Sequence, residues 1–392
     1  MDYRGRATAL QPLVRAHADA NEGERRLMPE VAAAFSEAGL YRVAAPQDCF
    51  GSECPPLEQI EIIEAIAQAD GAAAWNLMIG IESFGLISVG FDQCRELIED
   101  RNVILASSTA AVGSARPVDA GYQINGRWQF CSGVHNAGLF CATVQVEHDA
   151  HEPGGGRSPN RYAILTPDQY TILDTWRTGG LRGSGSHDVE VVDAVIPAHR
   201  LIPPLGEVRH PSPLLRFPLG ARLAYNKVAV AWGLTRAALD AFVELAEGKH
   251  PRFSSRSLRE RPRAHRAIAE AEARFRGGRA WVCELLDEMW QRVVAKEKVT
   301  SKERAMFQIA CSDAVVGCVA AVDQVAAAAG TSANQQGHPL ERIQRDIRVV
   351  GQHISVAPHN IEDAGRMLLG LPAQEMMLAG VPASSGPDQT KS

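Results

Sequence analysis

Twice along this chain the apolar residues change their period, and few architectures accommodate that order. Up to about residue 100 they recur at helical spacing: Leu27, Val31, Phe35 and Leu40 form one stripe, and Leu57, Ile60, Ile63 and Ala67 a second. Pro55 and Pro56 stand at the start of the second helix, where an amide proton is not needed, and Gly39 and Gly71 supply breaks. Residues 72–89 read as a third, buried helix interrupted by Glu82. From about Val103 the texture turns β-branched and aromatic, which predicts strands over 122–131, 140–146, 161–165, 171–174 and 189–195. The Gly/Pro/Ser/Asn-rich segment 149–160 reads as a loop. After a proline-rich linker, 202–218, helical patterning returns over 219–248, 263–298, 302–329 and 340–369. The expected organisation is a helical domain (1–100), a barrel-like β domain (101–205), a C-terminal four-helix bundle (206–375) and a polar tail (376–392).

Composition narrows the function. With 392 residues, 45% apolar and 22% charged, the chain is neither disordered nor fibrous. Forty basic against 46 acidic residues leave no excess of positive charge for nucleic acid. The eight cysteines form no CxxC pair and no cysteine–histidine grouping at metal-ligand spacing, so they read as buried small hydrophobes and no metal is expected. The first 26 residues lack a signal-peptide pattern and no run of about 18 apolar residues stands out, which predicts a cytoplasmic protein with no membrane partner. Neither GxGxxG after a strand nor GxxxxGK[ST] occurs, so the chain itself is not expected to bind a nicotinamide nucleotide.

Three stretches give the order a more specific meaning: INGRWQFCSGVHNAGLF (124–140), LRGSGSHDVEVVDAVIP (181–197) and ERIQRDIRVVGQH (341–353). Together they resemble the acyl-CoA dehydrogenase fold, over nearly the whole chain. The resemblance implies a flavin at the β domain and, for a dehydrogenase, a carboxylate base eight residues past Asp346 or in a Glu-Arg-Leu triplet on the first helix of the C-terminal block. Those positions hold Ile354 and Ala221, which cannot take a proton. Ser132-Gly133 in the β-domain turn together with Gln352-His353 instead resembles the oxygenase component of two-component flavin monooxygenases, the branch of the hydroxyphenylacetate and steroid-ring hydroxylases and the dibenzothiophene oxygenases.

That resemblance implies reduced flavin, FMNH2 or FADH2, delivered by a separate NAD(P)H-dependent reductase. It further implies O2 activated as a C4a-hydroperoxyflavin and a small aromatic or polyketide-like substrate to be hydroxylated. Such an intermediate needs a dry site and a hydroxyl near flavin N5, a role that falls to Ser132. Attack on a phenol is faster on the phenolate, which asks for a base of near-neutral pKa, and His353 is the candidate. The same resemblance places Ser107, Ser108, Thr109, Ser114, Cys131 and Gly133 along the flavin. Gly113 would allow close backbone approach, and Arg252 would stand against the flavin phosphate of a neighbouring subunit. Trp75 and Glu82, on the third helix, would wall the substrate cavity, where a carboxylate suits a cationic or hydrogen-bond-donating substrate better than a phenolate.

Competing readings are a dehydrogenase or flavin oxidase whose base is Glu341, Asp346 or Asp363, an N-oxygenase of an amino substrate, and a non-catalytic ligand-binding protein. Should His353 be structural, the base would be sought at Glu82 or His135. Helices apolar on more than one face, such as 310–329, imply subunit pairing, and the resemblance implies a homotetramer.

Overall fold

The computed structural model describes residues 2–147, 160–204 and 209–379, so most of the 149–160 loop and the tail beyond 379 lie outside the described residues. The N-terminal part holds α1 (Tyr3–Glu24), α2 (Pro29–Glu37), α3 (Pro56–Ala67), α4 (Gly71–Ile87) and the single-turn α5 (Glu96–Glu99). Asp70 caps α4 by accepting the amide proton of Ala73, and every residue of that helix except Ile79 is buried. Two helical segments, 71–93 and 301–334, are long and apolar enough to cross a membrane, contrary to the expectation of none; 94% of the first and 61% of the second apolar window is buried inside the protein.

Seven strands follow: β1 (Leu105–Val118), β2 (Gly121–Trp128), β3 (Leu139–Val146), β4 (Asn160–Leu165), β5 (Thr171–Leu173), β6 (Asp188–Ile196) and β7 (Leu201–Ile202). They form one sheet in the order β5-β6-β2-β1-β3-β4-β7, antiparallel except for the parallel β1–β3 pair. The long central strand β1 is not among the predicted ones. Its Ser-Ser-Thr-Ala-Ala-Val-Gly-Ser run lacks alternation and strand-forming residues, and it is extended because β2 and β3 pair with it from both sides. Trp128, Phe140, Ile124 and Val189 lie in the β domain's own core.

The C-terminal part comprises the one-turn α6 (Pro213–Arg216), α7 (Leu219–Gly248), α8 (Pro262–Val294), α9 (Ser301–Ala329), α10 (Pro339–Gly351), α11 (His359–Leu368) and α12 (Met376–Ala379). Helix α9 packs against α7, α8, α10 and α11. The helix predicted over 340–369 is two helices. The chain leaves helical geometry after Gly351 and re-enters it past Pro358, and His353 sits in that break. The turn is pinned: Gln308 Nε2 donates to the Ser355 carbonyl at 2.8 Å, and Asn360 Nδ2 donates to those of Ile354 and Ala357 at 2.8 and 3.0 Å.

Candidate active site

One stripe of α4, carrying Trp75, Ile79, Glu82 and Ser83 at i, i+4, i+7 and i+8, brings together Trp75, Glu82, Ser132, His353 and Ser107 of the residues anticipated from sequence. Trp75 Nε1 donates to Ser132 Oγ at 3.1 Å, which joins the helix to the turn after β2. Ser132 Oγ lies 2.6 Å from Ser186 Oγ, itself 2.7 Å from Ser184 Oγ. If Ser184 and then Ser186 donate in sequence, Ser132 accepts from both Ser186 and Trp75 and its own proton is left to give. The Trp75 indole also meets His353 edge to face, with ring centroids 5.3 Å apart. About two turns of helix further on, Ser83 Oγ is 2.8 Å from Ser107 Oγ on β1.

Glu82 does not face a ligand as a free carboxylate. Lys227 Nζ on α7 holds its two oxygens at 2.6 and 2.7 Å, and Asn226 Nδ2 donates to one of them at 3.1 Å, all three residues being buried. The reading of Glu82 as the counter-charge for a cationic substrate is therefore corrected: the protein supplies that cation itself. Arg222, also buried, donates through Nη2 to the Gly85 carbonyl at 2.9 Å, while its Nη1 and Asn226 Oδ1 meet no hydrogen-bond partner among the described residues.

His353 departs from a near-neutral base. Burial, and then the charge of Lys227, push it down to about 3. Its Nδ1 accepts the amide proton of Ser355 at 3.2 Å. His135, the fallback base, is pushed down to about 4, first by burial and then by His187 and the arginines at 25 and 26; it packs edge to face on His187 at 5.1 Å.

The remaining residues are less concentrated. Ser108 is buried, and its carbonyl accepts from Thr143 Oγ1 at 2.7 Å, while Thr109 is exposed. Cys131 turns into the β-domain core, where burial raises its thiol to about 12. Ser114 pairs with Asn125 and lies seven residues beyond Ser107, roughly 20 Å along an extended strand. Gly113 is needed for a reason other than flavin approach: a Cβ there would sit 2.2 Å from the Trp128 ring. Gly133 adopts φ +80°, so its turn favours glycine. Arg252 is exposed in the loop after α7, beside a fully exposed Phe253. Lys227 and Gly248 are 21 positions apart on that helix, roughly 31 Å, so Arg252 is remote from its own chain's cluster.

Sequence reasoning missed Phe130, Lys227 and Asn226. Phe130 is 68% exposed at φ +59°, two residues before Ser132, and meets Trp176 edge to face. Phe130 is thus an exposed aromatic held in a conformation that L-residues rarely adopt. The competing bases are all engaged: Glu341 pairs with Arg345 at 2.7 Å, Asp346 accepts the Leu181 amide proton at 2.6 Å, and Asp363 accepts those of Gln374 and Glu375 at 2.8 and 3.1 Å. Among the described residues one group, Asp48, Cys49 and His210, has donor atoms close enough to share a metal ion; there Asp48 already pairs with His210 at 2.9 Å.

Residues 226–358 match the family described as acyl-CoA dehydrogenase, C-terminal domain. The chain is 28% identical over 348 residues to an indole-3-acetate monooxygenase of Pseudomonas putida, covering 88% of each chain. It is 28% identical over 388 residues to the flavin-dependent monooxygenase oxygenase subunit HsaA of Rhodococcus jostii, covering 95% of this chain and all of that one. The crystal structure of 3-HSA hydroxylase from Rhodococcus sp. RHA1 superposes with a TM-score of 0.84 at 26% identity, over 96% and 99% of the two chains. The fold thus defines a protein of acyl-CoA dehydrogenase architecture. Within that architecture the chain is the oxygenase component of a two-component flavin-dependent monooxygenase, served by a separate flavin reductase and acting on a small molecule.

Proposed function

We propose that the protein hydroxylates a small aromatic substrate held between α4, α7 and the His353 turn, and that it works as a homotetramer in the cytoplasm. The observation that carries this reading is the Trp75 stripe, which brings the hydroxyl of Ser132 and the imidazole of His353 to the two sides of one indole. Reduced flavin with O2 supplies the oxygenating chemistry when bound. Ser132, Gly133 and Phe130 would hold the ring edge, with Ser107 and Ser108 beside it on β1; the hydroxyl chain Ser184–Ser186–Ser132 fits a nitrogen that needs a donor. Buried walls from α4 keep water from the reacting atoms.

Ile79 is the one residue of α4 that is not fully buried, and it lies between Trp75 and Glu82 on the same stripe. A half-buried apolar side chain flanked by buried polar groups suits an aromatic ring with one polar substituent. The relatives named for indole-3-acetate and resorcinol support that class. Arg252 would serve the flavin of a neighbouring subunit, since its own cluster lies roughly 31 Å along α7.

The test supplies NADH, a flavin reductase and 18O2, with indole-3-acetate, resorcinol and simple phenols as substrates. One 18O atom in a hydroxylated product is expected for at least one of them. Release of all the oxygen as H2O2 with every aromatic, or protein that purifies yellow and is bleached by an acyl-CoA, would overturn the reading in favour of an oxidase or a dehydrogenase.

A further inference from the structure

We propose that His353 is a hydrogen-bond donor through Nε2 to a substrate oxygen that arrives already as an anion, and is not the group that removes its proton. The proposal rests on the oxygenase reading for the identity of that oxygen and on the turn itself for the role. The Ser355 amide donates to Nδ1 at 3.2 Å. That contact is built into the turn, because the His353 carbonyl accepts the amide protons of Val356 and Ala357, both at 2.9 Å, while Gln308 and Asn360 fix the flanking carbonyls. A neutral imidazole carries one proton; with Nδ1 committed as acceptor, the proton resides on Nε2. No lone pair then remains to take a proton from substrate. Protonating Nδ1 would set its N–H against the N–H of Ser355, one unmatched donor facing another.

The charges around the ring point the same way. From α7 it faces Lys227, and through Lys227 the carboxylate of Glu82 on α4. Arg222 of α7 feels both Glu82 and the Tyr225 hydroxyl and donates to the Gly85 carbonyl at 2.9 Å, while Tyr225 donates to Gln59 at 2.9 Å. From α9 the neighbour of the turn is the uncharged Gln308, and the Trp75 indole donates to the Ser132 hydroxyl, itself 2.6 Å from that of Ser186. Two buried cations, Lys227 and Arg222, stand near one buried carboxylate, Glu82, and leave one positive charge over. A site with surplus positive charge and a neutral donor resists a second positive charge on the imidazole and favours an anion in front of it.

The two roles differ in proton count, which an equilibrium measurement reads without turnover. If His353 takes the proton, a neutral phenol binds with no net exchange with solvent, and its Kd is flat with pH. If His353 is a donor, the phenolate binds and the phenol's proton goes to the buffer. Below the phenol's own pKa the Kd then weakens tenfold per pH unit. With 4-nitrophenol as probe, followed by its phenolate absorbance, the tenfold law is expected; a flat Kd, or no binding at any pH, overturns the proposal. Imidazole 15N NMR of the protein, with His353 assigned through His353→Gln, should show Nε2 protonated and Nδ1 bare; Nδ1–H, or an imidazolium once 4-nitrophenol is bound, overturns it.

His353→Gln can retain an N–H donor and should hold 4-nitrophenolate within a few-fold of the wild type. His353→Ala should lose roughly 10- to 100-fold. Equal losses in the two variants count against the donor role. A protein that follows the tenfold law yet releases only H2O2 with every aromatic keeps this inference and overturns the oxygenase reading.

Discussion

The indole N–H of Trp75 reaches the hydroxyl of Ser132 at 3.1 Å across 57 positions of sequence, and so ties an N-terminal helix to the turn of the β domain. The contact makes Ser132 an acceptor on the helix side, and its own proton is free to give when Ser186 donates to it. Removing either partner should disturb coupling before it disturbs stability.

Ser132→Ala removes a hydrogen bond of about 1 to 3 kcal/mol from a dry site. A larger share of consumed NADH should then emerge as H2O2, measured with a reductase present. Trp75→Phe keeps the ring against His353 and deletes only the donor, so it should shift the same ratio less. Unchanged H2O2 in both variants would make the serine an ordinary turn former.

The Glu82–Lys227 pair predicts an asymmetry in stability. Lys227→Met leaves a buried carboxylate without its cation and should cost about 3 to 5 kcal/mol in denaturant unfolding. Adding Glu82→Leu should recover most of that loss, because the desolvation of both charges disappears together. Additive losses in the double variant would refute the coupling.

Asp346 provides a pH test. Burial first, and then the neighbouring Asp70, raise its carboxyl from the ordinary 3.8 to about 8. Since the folded value lies above the unfolded one, the fold favours the protonated form. That stability is complete below pH 3.8 and is lost as pH rises toward about 8. Asp346→Asn keeps an acceptor for the Leu181 amide, so its stability relative to wild type should climb across that window and level off outside it. A difference independent of pH, in urea titrations at several pH values, would show that the charge is not what matters.

Assembly is checked by sedimentation velocity, where four chain masses are expected at micromolar concentration. In the same preparation Arg252→Ala should weaken binding of reduced flavin by roughly tenfold or more, the loss of one charge-assisted contact. A monomer with full flavin affinity would contradict both.

Much was legible in the sequence because it depends on local pattern. Periodicity marked the helices of the C-terminal block, with 219–248 matching α7 (Leu219–Gly248) at both ends, and strand composition marked β3, β4 and β6. Ser132 and His353 are singled out through a family resemblance, which short local motifs, Ser132-Gly133 in the β-domain turn and Gln352-His353 after the Arg-Asp segment, carry. Phe130 carried a signal too, adjacent as it is to that turn, but its exposure and positive φ are not written in its residue type.

What the tertiary structure decided depends on which groups meet at a distance. Glu82 by itself is an unpaired acid; only the packing of α4 on α7 puts Lys227 against it, 145 positions away, and neutralises its charge. His353 by itself is a base of ordinary pKa, and only the break between α10 and α11 gives its Nδ1 the Ser355 amide and buries its ring beside a lysine. Strand β1 is extended because two neighbours pair with it. Residue type and period fix which elements form, since backbone and side-chain preferences act over a few residues. Protonation, charge balance and hydrogen-bond direction are set by desolvation and by partners brought together only when the chain folds.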